Sequence, residues 1–206
     1  MMKNKARGTK MKKKFIDETT YASSPGSVTI SKKKLRRLRP DLYGIRAKID
    51  ALLDSITIGF SEQRQIKEHI FYGDSQPAVV MSEEPLIIAA YSDDIDCIVM
   101  LKFDDEYSKI YNLKKKDRLI SINTYMRGTE YQKDIIVGPN NTNTWFGYSP
   151  IIAEFISDDF HIIEGRKKQI DEALWNYVFN LGMEYMKIHP NIFRDGRPLY
   201  SSISAI

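Results

Sequence analysis

Apolar residues recur along this chain with two different periods, and the change from one to the other divides it. Leu42, Ile45, Ile49, Leu52 and Ile56 follow one another at spacings of 3, 4, 3 and 4, which is one stripe of an amphipathic helix. Pro40 suits the first turn of that helix, where its missing N–H costs nothing. A second helix is predicted from Ser61, an N-cap residue, through "EQRQIKEHIFY" to a stop at Gly73. The period then shortens. "PAVVM", "PLIIAAY" and "IDCIVMLKF" are short, rich in β-branched residues and bounded by Pro, Ser and Asp, so they read as strands. In the third, Ile95, Cys97, Val99, Leu101 and Phe103 share one face, and Ile98 and Met100 the other. Apolar residues on both faces point to an interior strand.

The rest of the pattern is less regular. "YSDDID" reads as a hairpin loop. "DDEYSKIYN" reads as a short helix with Asp104 as N-cap. "RLISINTY" and "DIIV" read as further strands. In "IIAEFI" the apolar pairs 151/152 and 155/156 fit a helical face slightly better than a strand. "RKKQIDEALWNYVFNLGMEYMKI" reads as one long helix with Ile170, Leu174, Tyr177, Val178, Leu181 and Tyr185 as its stripe, ended by Pro190. "FRDGRPLYSS" reads as a turn-rich tail.

Helices before and after a strand-rich middle give an α+β fold, with a mainly antiparallel central sheet of about four to six strands. Regular βα alternation is missing, so a doubly wound sheet is not expected. Residues 40–206 form a single domain on this reading. Residues 1–39 are expected to be a basic arm and linker, largely disordered, because "MMKNKARGTKMKKK" has almost nothing to bury.

Composition narrows the class. A chain of 206 residues that is 42% hydrophobic can bury a core without covalent staples. One cysteine, Cys97, cannot make an internal disulfide and favours a reducing compartment. The apolar runs fall far short of the roughly 20 residues of a membrane span, and no secretory h-region follows the basic start. A soluble cytoplasmic protein without a membrane partner is expected.

Charge changes the picture most. The net +4 hides +12 over residues 1–48, which hold 15 Lys+Arg and three carboxylates, and −8 over the remainder. Either the basic quarter folds back on the acidic body, or it meets an external polyanion. The stretch "KKKLRRLR" concentrates Lys32, Lys33, Lys34, Arg36, Arg37 and Arg39. Cations at a helix N-terminus oppose its dipole by a few tenths of a kcal/mol, so their placement does not serve the helix. They are the candidate polyanion-binding residues. With no aromatic between Tyr21 and Tyr43, backbone contact with nucleic acid is expected rather than base stacking.

Other chemistry is thin. No two glycines lie within eight residues of each other, which removes the dinucleotide and Walker phosphate loops. His69, His161 and His189 are far apart, outside any H-E-x-x-H, and one cysteine makes no C-x-x-C zinc site. No cofactor is implied. Cys97 sits on the apolar face of a strand, where a thiol without a cationic neighbour stays protonated. The acidic clusters Asp93, Asp94, Asp96 and Asp104, Asp105, Glu106 flank one strand. Asp96 and Asp104 would stand some 26 Å apart at about 3.3 Å per residue, too far to share a metal. Asn143, Trp145 and Tyr148, in "GPNNTNTWFGYSP", are a candidate ligand-binding loop, because flat apolar rings beside amides suit a sugar, base or peptide. The plainer reading is that these rings pin the loop to the core. Arg194 and Arg197 could clamp an anion across a turn, though exposed arginines there are the commoner case.

These readings point to a non-enzymatic accessory or regulatory protein. Its body would bind a partner and its basic arm would favour nucleic acid or another polyanion. Two alternatives stand beside it. One is a metal-dependent hydrolase or nuclease using strand-end carboxylates. The other is a protein-interaction module of the immunity or adaptor type with a basic partner.

Overall fold

A computed structural model describes residues 22–44 and 62–199, and the backbone of 203–205. Helix α1 spans Lys32–Leu38 and a 3-10 turn follows at Pro40–Tyr43. Helix α2 spans Glu62–Tyr72, within the limits that Ser61 and Gly73 predict. Strands β1 (Asp74–Glu83), β2 (Leu86–Ser92) and β3 (Cys97–Phe103) come next. They are followed by α3 (Glu106–Ile110), β4 (Arg118–Met126) and β5 (Gly147–Ile152). A 3-10 turn at Ala153–Phe155 leads to α4 (Phe160–Gln169) and α5 (Glu172–Ile188). The short strands β6 (Ile192–Asp195) and β7 (Ile203–Ala205) end the order. Residues 45–61, which hold most of the stripe expected from Leu42 to Ile56, lie outside the described residues, as do residues 1–21.

The fold is α+β. The strands form one sheet in the order β5-β4-β1-β2-β3-β6-β7. Every pairing is antiparallel except β3 with β6. The interior position expected for β3 holds, between β2 and β6. In a flat sheet β5 and β6 would be five strand spacings apart, roughly 24 Å. Instead Arg194 of β6 donates to the Tyr148 carbonyl of β5 at 2.5 Å. The sheet is therefore curled until its first and sixth strands meet.

Alternation along each strand feeds two cores. Ile98 and Met100 join Val79, Met81 and Ile87 beneath α2, α4 and α5, whose Ile66, Ile163 and Val178 are buried. Ile95, Cys97, Val99, Leu101 and Phe103 fill the other face with Val80, Ile88, Tyr107 and Phe155, as the strand's period requires. The five largest strands thus lie between two apolar layers, and almost every residue of β2 and β3 is buried.

Four segments differ from the pattern-based reading. "IIAEFI" is the end of a strand and a 3-10 turn, because Ile151 and Ile152 pair with Ile122 and Ser121 of β4. The long C-terminal helix is two helices. Ile170 and Asp171 are extended, and the Asp171 carbonyl accepts from Leu174 and Trp175 to start α5. "DIIV" is the end of a turn and irregular backbone, not a strand; Asp134 is buried while Ile136 and Val137 stand exposed. The tail contributes β6, since "IFRD" finds the free edge of β3.

Candidate polyanion-binding surface

The cationic stretch is helical and its two leucines explain why. Leu35 and Leu38 stand three apart, so they share one face of α1. Leu35 is 1% exposed and lies in the first core; Leu38 is 3% exposed and lies in the second. The helix therefore wedges between the two layers. The packing does not change at Pro40, where the arm was expected to end: Val28, Leu35, Leu38 and Arg39 are all buried. Burial of two leucines outweighs the weak dipole penalty of the first-turn lysines, and Arg36 and Arg37 in the last turn suit the dipole.

The six cations divide into two groups. Lys34 turns back on the chain. Its ammonium donates to the Glu154 and Ser157 carbonyls at 3.0 and 2.6 Å and pairs with Asp158 at 3.0 Å. The Ser31 hydroxyl and this lysine hold the Asp158 carboxyl below the usual carboxylate range. Arg39 is buried. Its guanidinium meets Asp41 at 2.6 Å, Glu62 at 2.5 Å and the Pro198 carbonyl at 2.5 Å. Burial opposes the Arg39 charge, but the two carboxylates outweigh it and raise its pKa. Lys32, Lys33, Arg36 and Arg37 face solvent. Positions 32, 33, 36 and 37 fall within about 140° of helical arc. Among the described residues none of these four forms an ion pair with a carboxylate. The Arg36 guanidinium lies 4.8 Å from the Tyr43 ring centroid.

The aromatic loop is organised differently from a ligand platform. Tyr148 is fully buried and its hydroxyl donates to the Ala90 carbonyl at 2.6 Å. Trp145 and Tyr148 both pack on Tyr125, with centroids 5.7 and 6.1 Å from it. Asn143 has φ 58° and exchanges hydrogen bonds with Asn141, closing a turn. The structure does not gather Asn143, Trp145 and Tyr148 on one open face. Gly138 begins the loop against the hairpin between β2 and β3, where a Cβ would overlap the Asp96 carbonyl and carboxylate.

The acidic clusters are likewise occupied. Asp96 is 1% exposed and accepts from Tyr91, Tyr177 and Asn140. Burial would raise its pKa, but these donors hold it below the ordinary value. Asp93 is exposed and accepts from Gln76 at 2.9 Å. Asp105 accepts from the Leu86 N–H. Among the described residues no group of three or more His, Cys, Asp or Glu could hold a metal ion. No helix among them is long and apolar enough to cross a membrane.

Arg194 is the buried ion pair that sequence pattern does not reveal. Its guanidinium meets Asp134, 60 positions away, through Nε at 2.6 Å and Nη2 at 2.8 Å, and reaches Gln132 as well. Arg197 instead pairs with Asp195 two residues away. The only available signal for Asp134 is its place in an otherwise apolar "DIIV". Nothing local links it to Arg194.

Cys97 lies in the second core, and burial pushes its thiol up to about 12. A thiol reagent at pH 8 is expected to leave the folded protein unlabelled and to label it stoichiometrically in denaturant. Labelling of the folded chain at the rate of a free thiol would contradict this placement.

No protein-family model, no curated protein and no solved structure matches this chain.

Proposed function

We propose that this protein binds nucleic acid electrostatically through the solvent face of α1, acting as an accessory protein without sequence readout. The observation that carries this reading is the division of the six cations. Lys34 and Arg39 find their anions on the chain, while Lys32, Lys33, Arg36 and Arg37 are held out on a helix anchored from behind by Leu35 and Leu38. An acidic body is available, yet among the described residues none of these four forms an ion pair with a carboxylate; Lys33 acts on Asp158 only at longer range, and Arg37 hydrogen-bonds the Tyr111 hydroxyl. A fixed row of cations is better prepared for a phosphate backbone than the same charges on a mobile chain, because less side-chain and backbone order is lost on binding. The preceding sequence adds Lys3, Lys5, Arg7, Lys10, Lys12, Lys13 and Lys14 to the same end of the chain.

The test is the salt dependence of binding to a mixed-sequence DNA duplex. Replacing Lys32, Lys33, Arg36 and Arg37 by Gln leaves Leu35 and Leu38 in place, so the melting temperature should barely move. The slope of log K against log salt should become less negative by about 3.6, four phosphate contacts at about 0.9 each. An unchanged slope would refute the assignment of this face.

A further inference from the structure

Resting on that reading, we infer that the nucleic-acid surface continues past α1, across Glu154, into a second cationic groove, and that one duplex backbone is held by both. Glu154 is the joint. Its carbonyl accepts from Lys34 of α1 at 3.0 Å, and its carboxylate pairs with Lys167 of α4 at 2.9 Å. The carboxylate is also fixed by the Ile120 N–H, and the residue is only 8% exposed. It therefore ties α1 to α4 and itself presents little negative charge to solvent, while the exposed Asp158 beside Lys34 is paired with that lysine.

The groove has a volume of about 580 Å³ and lies between the start of β4, the end of α4 and the start of α5. Its cations are Lys116, Arg118, Lys167 and Lys168. It also carries Asp117, Glu164 and Glu172. Glu172 is engaged by Arg118 and Glu164 by Lys167, and the Asp117 carboxylate accepts from the Lys114 N–H. That N–H leaves the Asp117 charge in place, so with the adjacent Lys115 the five cations exceed the three carboxylates by two, and the cations without a carboxylate partner are Lys115, Lys116 and Lys168. All three are exposed, and among the described residues none forms an ion pair. The Lys115 and Lys116 ammoniums stand 5.9 and 4.9 Å from the Phe179 centroid, which holds their stems along α5.

Duplex rather than single strand is the ligand that fits. The ring of Trp175 lies under Arg118 and is 3% exposed, and Phe179 lies under the two lysines. Among the described residues the rings at this groove are covered by cations, Trp175 buried and Phe179 half-buried, so contact there is with phosphates, which a duplex presents on each strand every 3.4 Å or so of helix axis.

The experiment measures log K against log salt for the full chain on a 20-base-pair mixed-sequence duplex. A groove variant, Lys115→Gln/Lys116→Gln/Lys168→Gln, is compared with the α1 variant above. A control, Lys67→Gln/Lys133→Gln/Lys187→Gln, removes the same charge from exposed positions outside both patches. The groove variant should make the slope less negative by about 2.7, additively with the α1 variant, and the control should not. If the α1 variant loses slope and the groove variant matches wild type, the extension is overturned and the α1 assignment survives. If the control loses as much as the groove variant, only overall charge matters and the groove is overturned. If wild type does not bind, or neither patch changes the slope, both readings fall.

Discussion

Asp134→Ala is expected to destabilise the protein by about 3–5 kcal/mol, because it leaves a charge buried without its partner. Arg194 has a side chain 10% exposed and Asp134 one 2% exposed. An isolated buried lysine can shed its proton; an arginine does not, so the guanidinium would remain charged in the interior. Its bonds to the Tyr148 and Gln132 oxygens remain in place, but neither supplies negative charge. The position magnifies the effect. Arg194 closes the curled sheet by joining β6 to β5, and the two bonds from its guanidinium to the Asp134 carboxylate are lost in the variant. Denaturation by urea measures the loss. The double variant Asp134→Ala/Arg194→Met should recover much of it, since an apolar pair needs no counter-charge. A loss below about 1 kcal/mol for Asp134→Ala, or no recovery in the double variant, would show that the ion pair is not what holds the seam.

Acid should weaken the fold through His69. This side chain is buried, with Nε2 2.8 Å from the Ile122 carbonyl and Nδ1 3.1 Å from the Thr124 hydroxyl. The neutral ring fits this site, donating from Nε2 and accepting at Nδ1. Burial lowers its pKa from 6.5 to about 4, against the carbonyls of Ile122 and Ser149 that favour the charged form. Between these values the unfolded chain binds a proton that the folded chain does not. Stability therefore falls as pH drops from about 6.5 towards 4, by about 3 kcal/mol. Buried Asp74 and Glu154 have raised pKa values, chiefly from desolvation, and act in the opposite direction. The His69 contribution is isolated by subtraction. The stability difference between wild type and His69→Gln should shrink by about 3 kcal/mol from pH 7 to pH 4. A difference that is flat with pH would mean the imidazole does not titrate as placed.

The candidate site was only partly legible in the sequence. The spacing of Leu35 and Leu38 was in plain view inside "KKKLRRLR". Six cations in eight positions make such a segment read as a solvated arm, because two leucines supply little burial unless a surface waits for them. That surface is built from residues more than a hundred positions away: the Ser31 N–H meets the Ile156 carbonyl, and Lys34 meets Glu154 and Ser157. The groove cations come from "KKKDR" and "RKK", stretches that look like ordinary polar loop and helix flank until α4 and β4 are set side by side.

Period-two and period-three-to-four spacing are local properties, so the sequence by itself determined β1 to β4, the limits of α2, the two-faced character of β3 and the α+β class. The +12 and −8 division is likewise present in the letters alone. Tertiary structure decided whatever depends on a partner surface distant in the chain. It placed "IFRD" on the edge of β3, and it divided the C-terminal helix where Ile170 and Asp171 are extended. It buried Arg194 against Asp134, Arg39 against Asp41 and Glu62, and Asp96 beneath two tyrosines. It also left Lys32, Lys33, Arg36 and Arg37 facing water. Charge can be counted along a chain, but whether a charge is neutralised depends on distance in three dimensions, because salt screens Coulomb attraction beyond about 10 Å, and partners such as Arg194 and Asp134, 60 positions apart, meet only in the fold.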